Sequence, residues 1–438
     1  MSQPNRTEKA NKKNISPFDV ATAVQKIRKI GFRSWLIHEL TAAFYEARKH
    51  KIKTFNEHAF EVNWQENIAR LADAVINRTY APSGSVSFII YEPMVREIFA
   101  APFVDRVIHH FLYNVCAYWW DCHLIYDSYS CRVGKGTLFG IRRIQHMMRQ
   151  ATVNGTEKAY IIKNDIKGYF MSLPRKEVCE HMQWGLRQQF SGKLSTAETR
   201  QIYDLCKFLW QQILLDDPIR KSHRRGPLSN WDDLPPEKSL YNRDPGDGLV
   251  IGNQTSQLAS NSYLDQLDRY VKYELGYRWY GRYVDDFVRI IKESDLKKAL
   301  GDTHLIRDFL MYELRLTLHP KKYYVQPVDK GVTFLGARIY PHCLIPSNRL
   351  QGKFNQAVRN FVATKGANQD VNDTFISYLG LLKHLDAEPF VHKIFDRYSL
   401  DFKLYLESKA SDRRSFDDII VTLASELNKP NTDLGQQA

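Results

Sequence analysis

The stretch Trp279-Tyr280-Gly281-Arg282-Tyr283-Val284-Asp285-Asp286-Phe287-Val288-Arg289-Ile290-Ile291 sets two acids side by side between β-prone runs. Two short strands meeting at Asp285-Asp286 make a hairpin, and a pair of acids at such a turn is ordinarily solvated. Here aromatic and branched residues enclose the turn on both sides. The hairpin is therefore expected to pack on a core with its carboxylates converging on something cationic, because burying unpaired charge is costly. A second carboxylate, Asp165, ends the run from Lys158, which reads as a strand. Carboxylates from neighbouring strand ends are what a pair of Mg²⁺ ions roughly 3.5–4 Å apart requires. Hard cations choose oxygen ligands, and two of them stabilise the attacking and leaving oxygens of an in-line phosphoryl displacement.

The whole chain has 438 residues, with 62 Lys and Arg against 49 Asp and Glu, a net charge of +13. A composition of 43% hydrophobic and 25% charged residues excludes disorder for most of it,, and about 150 residues per domain allow two or three domains. No run reaches the roughly 18 apolar residues of a membrane helix, and Met1 to Asn14 is polar and basic rather than a signal peptide. A soluble, untargeted protein without a membrane partner is expected. Cys116, Cys122, Cys131, Cys179, Cys206 and Cys343 form no C-x-x-C pair, so neither a zinc site nor a disulfide framework is suggested, which fits a reducing cytoplasm. The basic excess suits a polyanion, whether nucleic acid or an acidic surface.

Residues 1–14 read as a mobile basic tail. Ser16-Pro17 offers a helix start with Val20, Val24 and Ile27 on one face. Asn63 with Glu66 has the capping-box pattern, followed by Trp64, Ile68, Leu71 and Val75 at helical spacing. Ser85 to Tyr91 is β-rich, and Ala101 to Trp120 is expected to be a buried helix. Residues 216–247 concentrate Pro218, Pro227, Pro235, Pro236 and Pro245 with the basic run Lys221, Arg224 and Arg225, and read as an inserted loop rather than a core element. Beyond it a glycine-rich turn precedes a helix through Leu258, Leu264, Leu267 and Val271. A helical stripe of Phe354, Val358, Phe361 and Val362 opens the C-terminal region.

These residues resemble the reverse transcriptases. Asp165-Ile166-Lys167-Gly168-Tyr169-Phe170 looks like that family's motif A, Gly248 to Gln257 like motif B, and Tyr283-Val284-Asp285-Asp286 like its Tyr-x-Asp-Asp motif C. Three motifs in the right order, each in its strand or loop context, make chance a poor explanation. Arg96 to Phe103 with Asp105-Arg106 and His109-His110 is similar to the fingers of bacterial members, and Ile125 to Arg132 with Gly134-Lys135-Gly136 to the segment after it. His319-Pro320-Lys321-Lys322, Phe334-Leu335-Gly336 and Ser377-Tyr378-Leu379-Gly380 match later segments. The resemblance spans residues 60–395. It implies an α+β right-hand polymerase fold: N-terminal helices and fingers over 15–158, a palm of antiparallel sheet and packed helices over 159–345, and a helical thumb and C-terminal tail over 346–438.

It also implies roles. Asp165, Asp285 and Asp286 would hold two Mg²⁺ ions, with Mn²⁺ as a substitute, together with the backbone carbonyl of Ile166. Phe170 stands at the steric-gate position, where a ring crowds a ribose 2′-hydroxyl. Arg96 and Arg106 would grip a triphosphate, since guanidinium forks match phosphate oxygens, although both also read as ordinary ion pairs. Ile251 and Gly252 would lie beside the incoming base, glycine permitting close backbone approach. Phe334, Leu335 and Gly336 would seat the primer. His109-His110 and Trp119-Trp120 read as structural, and Lys135 as a turn residue facing template phosphate.

The form Ile251-Gly-Asn-x-x-Ser256-Gln257 resembles the branch that holds diversity-generating and phage-defence enzymes. The Pro-rich insert and Gly281-Arg282-Tyr283 look more like a defence-associated reverse transcriptase, type 3 among them. The implied activity is RNA-directed DNA synthesis from a noncoding RNA template, consuming deoxynucleoside triphosphates and yielding cDNA. A second reverse transcriptase, an accessory protein or further copies of the chain are partners that the branch admits. Rival readings are a diversity-generating enzyme, a non-catalytic RNA-binding scaffold, and an RNA-dependent RNA polymerase, the last disfavoured by Phe170.

Overall fold

The first helix starts where a carboxylate can cap it. Asp19, not Ser16, accepts a hydrogen bond from the Ala21 N–H at 2.9 Å, so α1 runs Val20–Ile30 and buries Val20, Ala23, Val24 and Ile27. The computed structural model describes residues 16–49, 55–92, 94–403, 405–406 and 416–427. The basic tail expected at residues 1–14 lies outside them, as does the end of the C-terminal tail.

There follow α2 (Phe32–Arg48), α3 (Phe55–Val62), α4 (Trp64–Ile76), β1 (Val86–Ile90), β2 (Arg96–Ala100), α5 (Phe103–His123), α6 (Thr137–Ala151), β3 (Ala159–Asp165), α7 (Tyr169–Ser172), α8 (Arg175–Gln189), α9 (Ala197–Leu215) and β4 (His223–Arg224). Then come α10 (Gln254–Tyr263), α11 (Asp265–Arg269), β5 (Trp279–Tyr283), β6 (Asp286–Lys292), α12 (Leu296–Tyr312), β7 (Tyr324–Pro327), β8 (Val332–Phe334), β9 (Ala337–Ile339) and β10 (Leu344–Pro346). Helices α13 (Asn348–Thr364), α14 (Gln369–Leu382) and α15 (Glu388–Arg397) and a last helix at Phe416–Leu427 complete the mixed α+β fold.

The chain divides into two compact units. One comprises residues 1–136, 163–289 and 297–324, and the other 137–162, 290–296 and 325–438. In the first, α2 packs on α5, α8 on α9, and α10 on both α5 and α8. In the second, α13 packs on α14, α14 on the last helix, and α6 on β9. Strands β10-β9-β8 form one sheet, β2-β1-β4 another, and β5-β6-β3-β7 a third. No helix among the described residues is long and apolar enough to cross a membrane.

Three local expectations change. The capping box at Asn63 does not form: its side chain makes no cap hydrogen bond, and Glu66 instead pairs with Arg70 at 2.5 Å, one turn along the helix,. The helix expected through Val271 is broken at Leu264 and ends in a single π turn, Tyr270–Glu274. The Pro-rich insert is no peripheral loop. Its strand β4 pairs in parallel with β1, and Leu240 is fully buried with Phe99, Met171 and Val250.

Gly281 shows how tightly the hairpin strand is packed. A Cβ there would stand 2.2 Å from the Tyr129 hydroxyl oxygen and 2.8 Å from the ring carbon that bears it. Around Gly301, in α12, nothing lies within 4 Å of such an atom. Gly281→Ala is therefore expected to cost about 1–3 kcal/mol through overpacking, whereas Gly301→Ala gains up to about 1 kcal/mol through helix propensity. Urea midpoints of the two variants against wild type check the opposite signs.

Candidate active site

The turn between β5 and β6 is Val284-Asp285, and Val284 sits at φ +56°, a left-handed conformation that a β-branched residue adopts only under constraint. The constraint is Arg282. Its fully buried guanidinium donates to the Val284 carbonyl at 3.0 Å and forks onto Asp268, Nε to Oδ1 and Nη2 to Oδ2, both at 2.7 Å. Asn261 Oδ1 takes a further bond at 3.1 Å, and the Tyr280 hydroxyl donates to Asp268 at 2.6 Å. Removing one partner of such a buried pair costs about 3–5 kcal/mol, because the other is left uncompensated. Along the outer side of β5, Tyr129 N–H donates to the Arg282 carbonyl and Arg282 N–H to the Asp127 carbonyl, both at 2.9 Å.

Strand β3 delivers the third acid. Its last residue, Asp165, is buried. The His319 N–H donates to its carbonyl at 2.7 Å, and Lys167 N–H donates to Thr317 at 2.8 Å. These bonds flank the antiparallel bridge between Ile166 and Leu318. In such a non-hydrogen-bonded pair, Ile166 turns its own N–H and C=O away from that neighbour. The Asp165 carboxylate receives the Lys322 ammonium at 2.9 and 3.0 Å, and Lys163 reaches Asp286 at 3.3 Å.

The three acids feel one another. Burial first, then the charges of Asp165 and Asp286, push Asp285 up to about 7. Burial also raises Asp286, against the pull of Lys163, and Asp165 raises it further. Lys322 is held above its usual value, burial opposing and Asp165, Asp285 and Asp286 prevailing. This crowding of oxygen donors fits hard divalent cations, with the two lysines as the counter-charges at hand. The side chains do not form a ready cage, however: among the described residues no group of three or more His, Cys, Asp or Glu is disposed to hold a metal ion.

Phe170 and Ile251 are brought onto one surface, both packing against the buried cluster of Phe99, Met171, Leu240 and Val250. Main-chain bonds fix them, Leu249 N–H to the Phe170 carbonyl at 2.8 Å and Phe99 N–H to the Ile251 carbonyl at 3.0 Å. Gly252, at φ +132°, approaches the protein's own strand: a Cβ would lie 2.8 Å from the Phe99 carbonyl oxygen. Its freedom is thus needed by β2, whatever lies on its other side. Arg96 is exposed at the start of β2, and Arg106 spends Nε on the Ala101 carbonyl at 2.9 Å.

Phe334, Leu335 and Gly336 form the tip of the β8–β9 hairpin in the other unit. The Phe334 side chain is buried there. Lys135 donates to the Tyr126 carbonyl and lies over that ring at 4.5 Å. His109 is buried and bonds Thr255 of α10 at 2.8 Å, and burial, with neighbouring His110 and Arg106, lowers it to about 3, so it is neutral and structural. Sequence reasoning missed Lys163, Lys322, Asp268 and Arg282. Lys163 carried a signal, since residues two apart on a strand share a face.

Comparison with protein-family models and with curated proteins finds no match. Among solved structures, the chain is similar to telomerase from Candida tropicalis in complex with a TWJ fragment of telomeric RNA, at 12% identity and a TM-score of 0.43, over 82% of this chain and 67% of that one. It is similar also to apo telomerase from Candida tropicalis, at 12% identity and TM-score 0.44 over 79% and 63%. A third is telomerase from Candida albicans with the same kind of RNA fragment, at 12% identity and TM-score 0.40 over 85% and 66%. The chain thus spans about two thirds of the length of these structures.

Asp285 carries a pH signature. Its carboxyl rises from 3.8 to about 7 on folding, so between those values the folded state keeps a proton that the unfolded chain has lost, and stability falls as pH rises. Asp285→Asn is expected to stabilise the cation-free protein by about 1–3 kcal/mol above pH 7. The gain should shrink toward zero as pH approaches 4. Denaturant titrations of both proteins across that range measure it.

Proposed function

We propose that this chain is an RNA-directed DNA polymerase with a right-hand layout, extending a primer hydroxyl along a noncoding RNA template. The observation that carries the reading is the convergence of Asp165 from β3 with Asp285 and Asp286 from the β5–β6 turn. A solvated hairpin would not crowd three acids until one is pushed to about 7.

In this reading Asp165, Asp285, Asp286 and the Ile166 carbonyl hold two Mg²⁺ ions, Mn²⁺ serving in their place. When bound, they supply charge stabilisation at the attacking and leaving oxygens of nucleotidyl transfer. The Arg282–Asp268 pair holds Asp285 and Asp286 in register with Asp165. The Phe170 ring limits the space for a 2′-hydroxyl, favouring deoxynucleotides, and Ile251 lines the base side without a polar group. Arg96 and Arg106 meet the triphosphate, and the Leu335-Gly336 tip meets the primer strand. The form of motif B and the Pro-rich insert support the phage-defence branch over the diversity-generating one, with the cytoplasm as the site of action.

A purified-protein incorporation assay with template RNA, primer and deoxynucleotides tests the reading. Asp285→Ala with Asp286→Ala should fall to background, and undiminished incorporation would sink the assignment. Phe170→Ala should raise ribonucleotide incorporation about 10- to 100-fold relative to deoxynucleotide. RNA binding should weaken by about 10³-fold between roughly 50 and 200 mM salt, if six or more phosphates are neutralised by the basic side chains. A salt-insensitive affinity contradicts that use of the charge.

A further inference from the structure

A fully buried carboxylate in a strand needs its lone pairs filled, or its desolvation is uncompensated. Glu97, in the middle of β2, is such a carboxylate, and three donors of the Pro-rich insert reach it. Trp231 Nε1 donates to its Oε1 at 2.6 Å, Ser239 Oγ to the same oxygen at 3.1 Å, and Leu240 N–H to Oε2 at 2.6 Å. An apolar side chain could fill the space without that cost. The three donors instead tie the insert to the middle of β2.

That tie reaches the candidate nucleotide pocket by contact. Two residues along β2, on the same face as Glu97, Phe99 belongs to the buried cluster with Leu240, Met171 and Val250, onto which Phe170, Ile251 and Tyr241 pack. The main chain of Phe99 holds motif B, accepting no Cβ at Gly252 and donating its N–H to Ile251. The insert is also held at Ser87 of β1 and folds on itself around Tyr241. The Tyr241 hydroxyl lies 2.8 Å from Ser87 Oγ and 3.0 Å from Ser222 Oγ, and the Arg224 guanidinium stacks 3.9 Å from the Tyr241 ring centre.

We infer that Glu97 is a positioning residue for sugar selection. By fixing Leu240 within the cluster it sets how far Phe170 and Ile251 project, so the insert governs discrimination between deoxy- and ribonucleotides. This rests on the polymerase reading.

Glu97→Gln is the direct test, since either flip of the carboxamide sets an N–H₂ against the Trp231 or the Leu240 N–H. Single-nucleotide incorporation should show the deoxy-to-ribo ratio of kcat/KM falling by about tenfold or more, carried mainly by KM for the deoxynucleotide. Trp231→Phe, which removes one donor and keeps a ring, should shift the ratio the same way by less. A folded Glu97→Gln protein with the wild-type ratio, or an equal loss with both sugars, overturns the inference. If the wild-type protein incorporates neither sugar, it is the polymerase reading that falls. Hydrogen exchange then judges the clamp alone: Glu97→Gln should lower protection in 228–242 and 249–252 together, and loss confined to 228–242 overturns the coupling.

Discussion

The turn that carries Asp285 and Asp286 depends on the buried Arg282–Asp268 pair. Two acids at a hairpin turn repel each other and a third acid on the neighbouring strand, and the turn bends Val284 into a conformation it does not favour,. Nothing in the turn itself repays that. The guanidinium beneath it does, joining the Val284 carbonyl, Asp268 and Asn261 in one arrangement. Such a network is cooperative only when it is complete. This one continues through Asn261, whose amide donates to the Ser130 carbonyl at 3.0 Å, and beside it the Tyr169 hydroxyl donates to the Ser260 carbonyl at 2.5 Å. The segments resembling motifs A, B and C are thus tied to one another through α10.

What could be read from the residues follows from the range of the interactions involved. Strand ends bearing acids, the hairpin at Asp285-Asp286 and the apolar stripes of α1, α4 and α13 are local patterns, and the chain shows them directly. The insert misleads for the same reason. Proline and charge mark it as irregular, which it is, but irregular backbone can still be core when a distant side chain supplies what it lacks. Glu97 and Leu240 stand 143 residues apart, and neither hints at the other. Asn63 misleads in the opposite direction, a correct local pattern losing to an equally local rival when Glu66 turns to Arg70. At the site, Lys163, which pairs with Asp286, was legible by alternation from Asp165, whereas Lys322 reaches Asp165 itself from 157 residues away.

The two lysines also change how the charge of the chain is understood. A net +13 spread over 438 residues suggests a basic surface around an acidic centre, yet part of the basic charge is inside that centre. Lys322 and Lys163 neutralise Asp165 and Asp286, while Asp285 is left to hold a proton near neutrality. The protein by itself thus has a way to tolerate three acids in one place. On the polymerase reading, Asp165, Asp285 and Asp286 would hold divalent cations whose charge takes over the compensation that Lys322 and Lys163 give to Asp165 and Asp286. A primer and a triphosphate bring further oxygens, which gives a displaced ammonium new partners. On that same reading the lysines keep the acids compensated in the bare protein and would turn to those oxygens once cations are held.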